Sequence, residues 1–526
     1  MARSFCEAGM QALISGFADV LNIYTLAWIC VGVTLGYVLG VLPGLGKATG
    51  VAVSIPLTFY LEPVAAIALL IGIAKGSAAG SAVSAILLNT PGEPSSAPTA
   101  LDGYPLARQG KAQKALKMGL FASVIGDFLS TLVLICLAAP LARYALLIGP
   151  VELCAILVFS MTFIGGLSGK SLIKGLIAGA FGVLFATVGL ETESFIPRMT
   201  FGLLELDDGL PLVPIAIGML AVAEMIVQAG SMRQLDAETA RIVDGGAPED
   251  RVVLWSEWKR CLAPILRGTL IGSVVGILPG LGASVGSFLS YGATRRASKN
   301  PEEFGTGRIE GIAAAESADN AVVPASFVPL FALGIPGSVI AAILIAAFVL
   351  HGLTPGPRMF QEQPQLVAAV YAAMLCASGV LLLIGYTGQR IFAQVTRVPI
   401  RLIIPGVLFL CCIGAWMETG SIFAIYIMLA FTVFGFLAKK LDFSFVTFLI
   451  GFVIGPSAEL SFRQSLQILD HRWTKLLDHP IALVFIALTL VVLVVLARGR
   501  SAGPAGGDRP ARDPQITPTH HEGRIS

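Results

Sequence analysis

Apolar residues fall along this chain in long runs broken by short polar punctuation, and the length of those runs decides the fold class. A hydrocarbon core needs about 20 consecutive apolar residues per helix. Runs near or above that length cover residues 21–42, 63–89, 116–140, 151–167, 171–190, 210–229, 261–282, 312–334, 364–387, 401–416, 420–437, 443–456 and 480–497. Two more, Val51–Leu61 and Ser338–Leu350, are too short to span alone and predict half-helices or re-entrant segments. The pattern predicts an all-α polytopic membrane protein with about 11 to 14 transmembrane or half-membrane helices.

Polar stretches set the organisation. Residues 1–20 form an N-terminal segment without a cleavable signal pattern, and 21–230 a first membrane repeat. A linker follows at 231–260 with mixed charges from Arg233 to Arg251. Residues 261–498 hold a second membrane repeat and the C-terminal helices. The tail, 499–526, is rich in Gly, Pro, Arg and Asp, lacks apolar periodicity and predicts disorder. Arg498, Arg500, Arg509 and Arg512 beside the last run place the C-terminus in the cytoplasm by the positive-inside rule.

Composition agrees. Of 526 residues, 55% are hydrophobic and only 13% charged, against about 25% charged in soluble domains. Mean hydropathy is +0.82. A net charge of +2 gives no pull toward nucleic acid. The eight cysteines are scattered without CxxC spacing and read as small buried hydrophobes, not metal ligands. Gly165–Ser171 misses the phosphate-binding loop because Ile164 stands where its first glycine is required.

The two halves share a written signature. Gly40-Val41-Leu42-Pro43-Gly44-Leu45-Gly46 recurs as Gly276-Ile277-Leu278-Pro279-Gly280-Leu281-Gly282, an offset of 276 − 40 = 236. Leu88-Asn89-Thr90-Pro91-Gly92 matches Leu333-Gly334-Ile335-Pro336-Gly337 at 336 − 91 = 245. Two motifs in the same order in both halves indicate a duplicated unit. Pro deletes a backbone donor and Gly permits positive φ, so each Pro-Gly breaks its helix. The freed N–H and C=O groups survive in a membrane only where protein, water or ligand satisfies them. Paired breaks in corresponding positions of two halves point to a transporter's midplane binding site.

Basic residues argue for inverted repeats. Arg108, Lys111, Lys114 and Lys117 follow the second motif of the first half, whereas Arg295, Arg296, Lys299 and Arg308 lie between the motifs of the second. If basic loops face the cytoplasm, equivalent loops of the two halves face opposite sides.

Candidate binding groups flank the breaks: Asn89, Thr90, Pro91, Gly92, Ser95 and Ser96 in the first half, and Asp319, Asn320, Gly334, Pro336, Gly337 and Ser338 in the second. Hydroxyls, amides and free N–H groups hold a carboxylate, and a carboxylate beside an amide suits Na⁺. The plainer alternative is helix capping, and Asp319-Asn320 equally suits a helix start. Lys75 and Asp127 lie within apolar runs and form a candidate intramembrane charge pair, with a snorkelling lysine as the alternative. Glu459 and Arg463 are spaced for a helical ion pair, and His351 reads as a packed or interfacial residue.

The chain resembles the large permease subunit of tripartite tricarboxylate transporters, the TctA type. The resemblance lies in GVLPGLG at 40–46, SIPLTFYLEPVAAI at 54–67, ILLNTPGEPSSAPTALDGYPLARQGKA at 86–112, GILPGLG at 276–282, PEEFGTGRIEGIAAAESADNA at 301–321 and LGIPGS at 333–338. It spans roughly residues 20 to 470. It departs from the family at Lys47, Lys75, Asp127 and around Pro324. The resemblance implies a non-enzymatic symport permease in a bacterial inner membrane, with no cofactor beyond a coupling Na⁺ or H⁺. It implies two partners, a small membrane subunit and a periplasmic solute-binding protein, and an organic anion as cargo. The competing readings are a stand-alone carboxylate carrier or exporter and, remotely, an intramembrane serine protease built on Gly166-Leu167-Ser168-Gly169 and His351. A channel is disfavoured because no ring of filter residues is visible.

Overall fold

Helices follow the apolar runs. The computed structural model describes residues 14–42, 45–167, 171–191, 194–231, 247–395, 400–470 and 472–501. Pro43 and Gly44 of the first break, Ser168 of the G-x-S-G stretch, residues 232–246 of the expected linker and nearly all of the expected tail lie outside the described residues.

The first half runs α1 (Ile23–Val41), α2 (Lys47–Ser54), α3 (Pro63–Leu88), α4 (Ala97–Arg108), α5 (Ala112–Ala145), α6 (Pro150–Leu167) and α7 (Leu172–Ala186). A two-residue hairpin, β1 (Gly189–Leu190) on β2 (Pro197–Arg198), leads to α8 (Leu212–Ala216), which continues through π-helical Ile217–Val222 into α9 (Ala223–Ser231). The second half runs α10 (Trp255–Ile277), α11 (Gly282–Ala297), α12 (Ile309–Ala325), α13 (Phe327–Leu333), α14 (Val339–Leu350), α15 (Pro364–Val395), α16 (Ile400–Thr419), α17 (Ile422–Lys440), α18 (Phe445–Leu469) and α19 (Pro480–Ser501). Among the described residues, seven helices are long and apolar enough to cross a membrane, and six shorter apolar helices accompany them. This is an all-α polytopic membrane protein.

Two details differ from the run-by-run expectation. The run 312–334 is not one helix but α12 and α13, parted at Ser326. Pro329 has no N–H to give the Ala325 carbonyl, so the ladder fails there. The segment after Pro91-Gly92 is helical as α4, although its Pro98, Asp102 and Pro105 hide it from a hydropathy reading.

Helix α10 shows how the bundle is solvated. Leu262, Leu266, Leu270 and Val274, four residues apart, are all exposed. The other face carries Gly268, Gly272 and Gly276, all buried. Large apolar side chains outward and small ones inward is the arrangement lipid selects, because packing rather than water exclusion joins the helices. Helix α3 is enclosed along nearly its whole length.

The sequence offsets reappear as packing. A Cβ on Gly32, Gly36 or Gly40 of α1 would strike the carbonyl oxygens of Leu69, Ile73 and Ser77 on α3. On α10, Gly268, Gly272 and Gly276 face the carbonyl oxygens of Ala314, Ala318 and Val322 on α12 in the same way. The glycines are related by 268 − 32 = 236 and their partners by 314 − 69 = 245. The halves also interlock, since α5 packs on α12 and α15 packs on α3.

Candidate functional site

The two breaks have a common backbone. Helix α1 stops at Val41 and Leu42 turns extended at φ −80°, ψ 119°. Leu278, its equivalent at 42 + 236, ends α10 at φ −84°, ψ 111°. Helix α3 ends on Asn89 at φ 53°, and α13 ends on Gly334 (89 + 245) at φ 73°. Gly carries left-handed φ without cost, and Asn is among the few side chains that tolerate it.

In each half the second break rests on the first. A Cβ on Gly92 would stand 2.5 Å from the Gly40 carbonyl oxygen, and one on Gly337 would stand 3.0 Å from that of Gly276. The Gly280 N–H donates to the Gly337 carbonyl at 3.2 Å. Gly280 and Gly282 take positive φ of 90° and 71° beside half-buried Pro279. Pro336 and Gly337 are buried, Pro91 is half-buried and Asn89 is exposed. Thr90 Oγ1 donates to the Leu88 carbonyl at 3.2 Å. Each half also carries a serine pair: the Ser81 and Ser96 hydroxyls are 2.6 Å apart, and those of Ser326, the equivalent of Ser81 (81 + 245), and Ser338 are 3.0 Å apart. Ser338 also caps α14 by accepting the Ala341 N–H at 3.2 Å.

The breaks exchange partners between halves. The turn Pro94–Ser96 packs against α11 of the second half, and α14 packs against α2 of the first. At the first break this brings three charges together. Lys47 opens α2 one residue after Gly46. Its Nζ lies 2.7 Å from Asp319 Oδ1 on α12 and 3.2 Å from Glu93 Oε2, just past Pro91-Gly92. The Lys47 backbone N–H also donates to Glu93 Oε1. A lysine at a helix N-terminus opposes the helix dipole, and the Glu93 carboxylate there compensates it. Ser95 Oγ donates to Glu93 Oε2 at 3.2 Å. Lys47 is 4% exposed and Asp319 is fully buried, with Oδ2 lacking a hydrogen-bond partner among the described residues.

Asp319 and Asn320 sit in the interior of α12, not at a helix start. One turn earlier lies Glu316, fully buried, whose Oε1 accepts from Thr99 Oγ1 at 2.6 Å and whose Oε2 accepts from Ser123 Oγ at 3.0 Å. Asn320 Nδ2 donates to the Glu316 carbonyl at 3.0 Å. Sequence reasoning named Asp319, Asn320, Ser95 and Ser96 but missed Glu93, Glu316, Thr99 and Ser123. An acidic residue inside the Ala-rich stretch Gly311–Ala321 was the available signal for Glu316. Among the described residues, no three His, Cys, Asp or Glu side chains converge as a metal-ligand set.

The second break carries no such charges. The positions equivalent to Lys47, Glu93 and Asp319 are Ala283 (47 + 236), Ser338 (93 + 245) and Ala74 (319 − 245). A Cβ on Gly282 would meet nothing within 4 Å, although one on Gly280 would strike Ile164, so this tip is open at Gly282 where the first is filled.

Lys75 and Asp127 stand together. Lys75 Nζ is 2.6 Å from Asp127 Oδ2, 2.7 Å from the Met374 carbonyl and 3.0 Å from Ser378 Oγ, all buried. Ser378 Oγ donates to the same Asp127 oxygen at 2.5 Å. Lys75 is the repeat equivalent of Asn320 (75 + 245), so both halves place a polar side chain at this level of the enclosed helix. His351 Nε2 lies 3.0 Å from Thr58 Oγ1.

A separate cavity of about 440 Å³ lies between the β1–β2 hairpin and α18. Arg463 pairs with Glu459 at 2.8 Å and with Glu191, and Arg198 reaches Glu459 at 2.6 Å. None of its lining residues belongs to either break.

Comparison with known proteins adds the lineage. Residues 26–450 match the tripartite tricarboxylate transporter TctA family. An uncharacterized 52.8 kDa protein in the TAR-I ttuC' 3' region of Agrobacterium vitis is 36% identical over 498 residues, covering 94% of this chain and 98% of the relative. An uncharacterized protein in the TAR-II ttuC' 3' region of Agrobacterium vitis is 34% identical over 224 residues, covering 43% of this chain and 93% of that protein. No solved structure matches.

Proposed function

The chain belongs to the tripartite tricarboxylate transporter TctA family, and we propose that it is the membrane-embedded permease subunit of an ion-gradient-driven uptake system for tricarboxylates or related organic anions. Its partners in this reading are a small membrane subunit and a periplasmic solute-binding protein. It sits in the bacterial inner membrane with two inverted repeats and a cytoplasmic C-terminus.

One observation supports the reading most. Two helix breaks, one from each half, share a backbone design and pack across the halves, yet one tip is filled by Lys47, Glu93 and Asp319 and the other is open. The open tip, at Gly282 and the start of α11, has no side-chain cap and offers helix N-terminal N–H groups without fixed charge to an anion's carboxylates. At the filled tip Lys47 already neutralises the carboxylates of Glu93 and Asp319, which leaves the other tip to a carboxylate cargo. Movement of the two tips against each other would alternate access.

The test is labelled-anion uptake into proteoliposomes holding all three subunits, with Na⁺ and proton gradients imposed separately. Uptake that needs all three chains and one gradient supports the proposal. Uptake by this chain alone favours a stand-alone carrier. No uptake of any di- or tricarboxylate under either gradient removes the assignment.

A further inference from the structure

We propose that the Lys47 ammonium is a tethered cation, filling an oxygen set that would otherwise take a free monovalent cation, so that the first break binds no Na⁺ while Lys47 is present. The proposal rests on the permease reading only for its meaning in transport; the site and its test stand on this chain alone.

Three features carry it. The ammonium lies within hydrogen-bond distance of two carboxylates from opposite halves, Asp319 at 2.7 Å and Glu93 at 3.2 Å. Among the described residues neither carboxylate has another cation: the remaining donors are the Lys47 N–H and the Ser95 hydroxyl on Glu93. Asp319 Oδ2 is buried with no hydrogen-bond partner among the described residues, an oxygen with spare coordinating capacity that the single ammonium leaves unused. A buried carboxylate oxygen in that condition is costly and is retained only for a reason.

The internal comparison strengthens the case. At the repeat-related tip, lysine, glutamate and aspartate are replaced together by Ala283, Ser338 and Ala74. The cation and its anions are thus absent as a set, as expected of a lysine serving those carboxylates rather than a surface charge that wandered inward. Removing the ammonium alone leaves the fully buried Asp319 and the partly buried Glu93 without a neutralising cation among the described residues. The smallest replacement able to reach the same oxygens is a desolvated monovalent ion.

The experiment uses the purified full-length chain in detergent, with choline chloride or NaCl at equal ionic strength. The wild type should show no gain in thermal midpoint in NaCl and no ²²Na⁺ binding that Asp319→Asn removes. Lys47→Met should gain about 5 °C in NaCl and bind ²²Na⁺, and Lys47→Met with Asp319→Asn should lose both. Na⁺ binding by the wild type that Asp319→Asn abolishes would overturn the proposal, because the oxygens would then accept a free ion beside the lysine. A folded Lys47→Met protein indifferent to Na⁺ overturns it equally. Should Lys47→Met be recovered only in NaCl, the proposal is supported; if it is recovered in neither salt, the wild-type ²²Na⁺ result decides. A failure of the uptake assay leaves these readouts untouched.

Discussion

Lys47 and Asp319 are 272 residues apart in the chain and 2.7 Å apart in space, and their contact ties the first helix break to the opposite half of the molecule. Both side chains are buried, so neither charge can turn to water when its partner is removed. Lys47→Met or Asp319→Asn alone, measured without Na⁺, should destabilise the protein by about 3–5 kcal/mol, and the double variant by clearly less than the sum. Thermal unfolding of the four proteins in detergent gives the coupling directly. Additive losses would mean that the contact contributes nothing.

Lys75 and Asp127 form a second buried pair, shared with Ser378. Lys75→Ala and Asp127→Ala should each abolish most uptake by the assembled transporter, and the double variant should recover part of it. The loss should be on the order of 10-fold or more for each single change, because an unpaired charge at this depth costs several kcal/mol. A double variant no better than the worse single would show that the two charges act separately.

The glycine ladder predicts a steric test. Gly36→Ala and Gly272→Ala each drive a methyl group into a facing carbonyl, of Ile73 and Ala318 respectively. Each should cost about 1–3 kcal/mol or more through forced separation of the helices. Gly292→Ala and Gly379→Ala have nothing within 4 Å of the new methyl group and should be neutral or slightly stabilising. Size-exclusion profiles after graded heating will separate the two classes.

Asp102 fastens α4 to the second half. Its Oδ1 accepts the N–H groups of Gly305, Gly307 and Arg308 at 2.8, 3.0 and 2.8 Å, and its Oδ2 accepts the Tyr291 hydroxyl at 2.9 Å. Asp102→Ala leaves all four donors unmet and should cost about 3 kcal/mol, whereas Tyr291→Phe should cost about 1 kcal/mol. Protease cleavage within the segment 301–308 should accelerate in the same order.

The β1–β2 hairpin should loosen in acid. The Ser194 hydroxyl, with Arg463 and Arg198, holds the Glu191 carboxyl below the ordinary glutamate range. A depressed carboxyl contributes its stabilisation above the unfolded-state value and loses it as pH falls through the folded-state value. Proteolysis of the hairpin should therefore be constant near neutrality and rise as pH drops below the usual carboxylate range. Glu191→Gln should remove that rise.

How much was legible in the sequence differed by the range of the interaction. Hydropathy located the long helices, because burying backbone in lipid demands runs of a fixed length. The paired Pro-Gly motifs located the chain reversals, and Asn89 and Gly334 fall at corresponding positions with left-handed backbone. Lys75 and Asp127 were conspicuous as charges within apolar runs. Glu93 was not, since an acid beside two prolines reads as an ordinary loop residue. The partnership of Lys47 with Asp319 was also hidden, because one sequence carries no signal linking positions 272 residues apart. Asp319-Asn320 fitted an ion site and a helix start equally, and only the unbroken turn on both sides, Ile309–Ala325, removes the helix start.

The two buried lysines carry a consequence for biogenesis. Lys47 has Glu93 46 residues downstream and Asp319 272 residues downstream. Lys75 has Asp127 at 52 residues and Ser378 at 303. Each ammonium therefore meets one counter-charge soon after leaving the ribosome and a second contact only once the other half has been made. The early carboxylate lets the first half rest in the bilayer without a naked charge, and the late contact, Asp319 or Ser378, locks the two halves together once the second has been made.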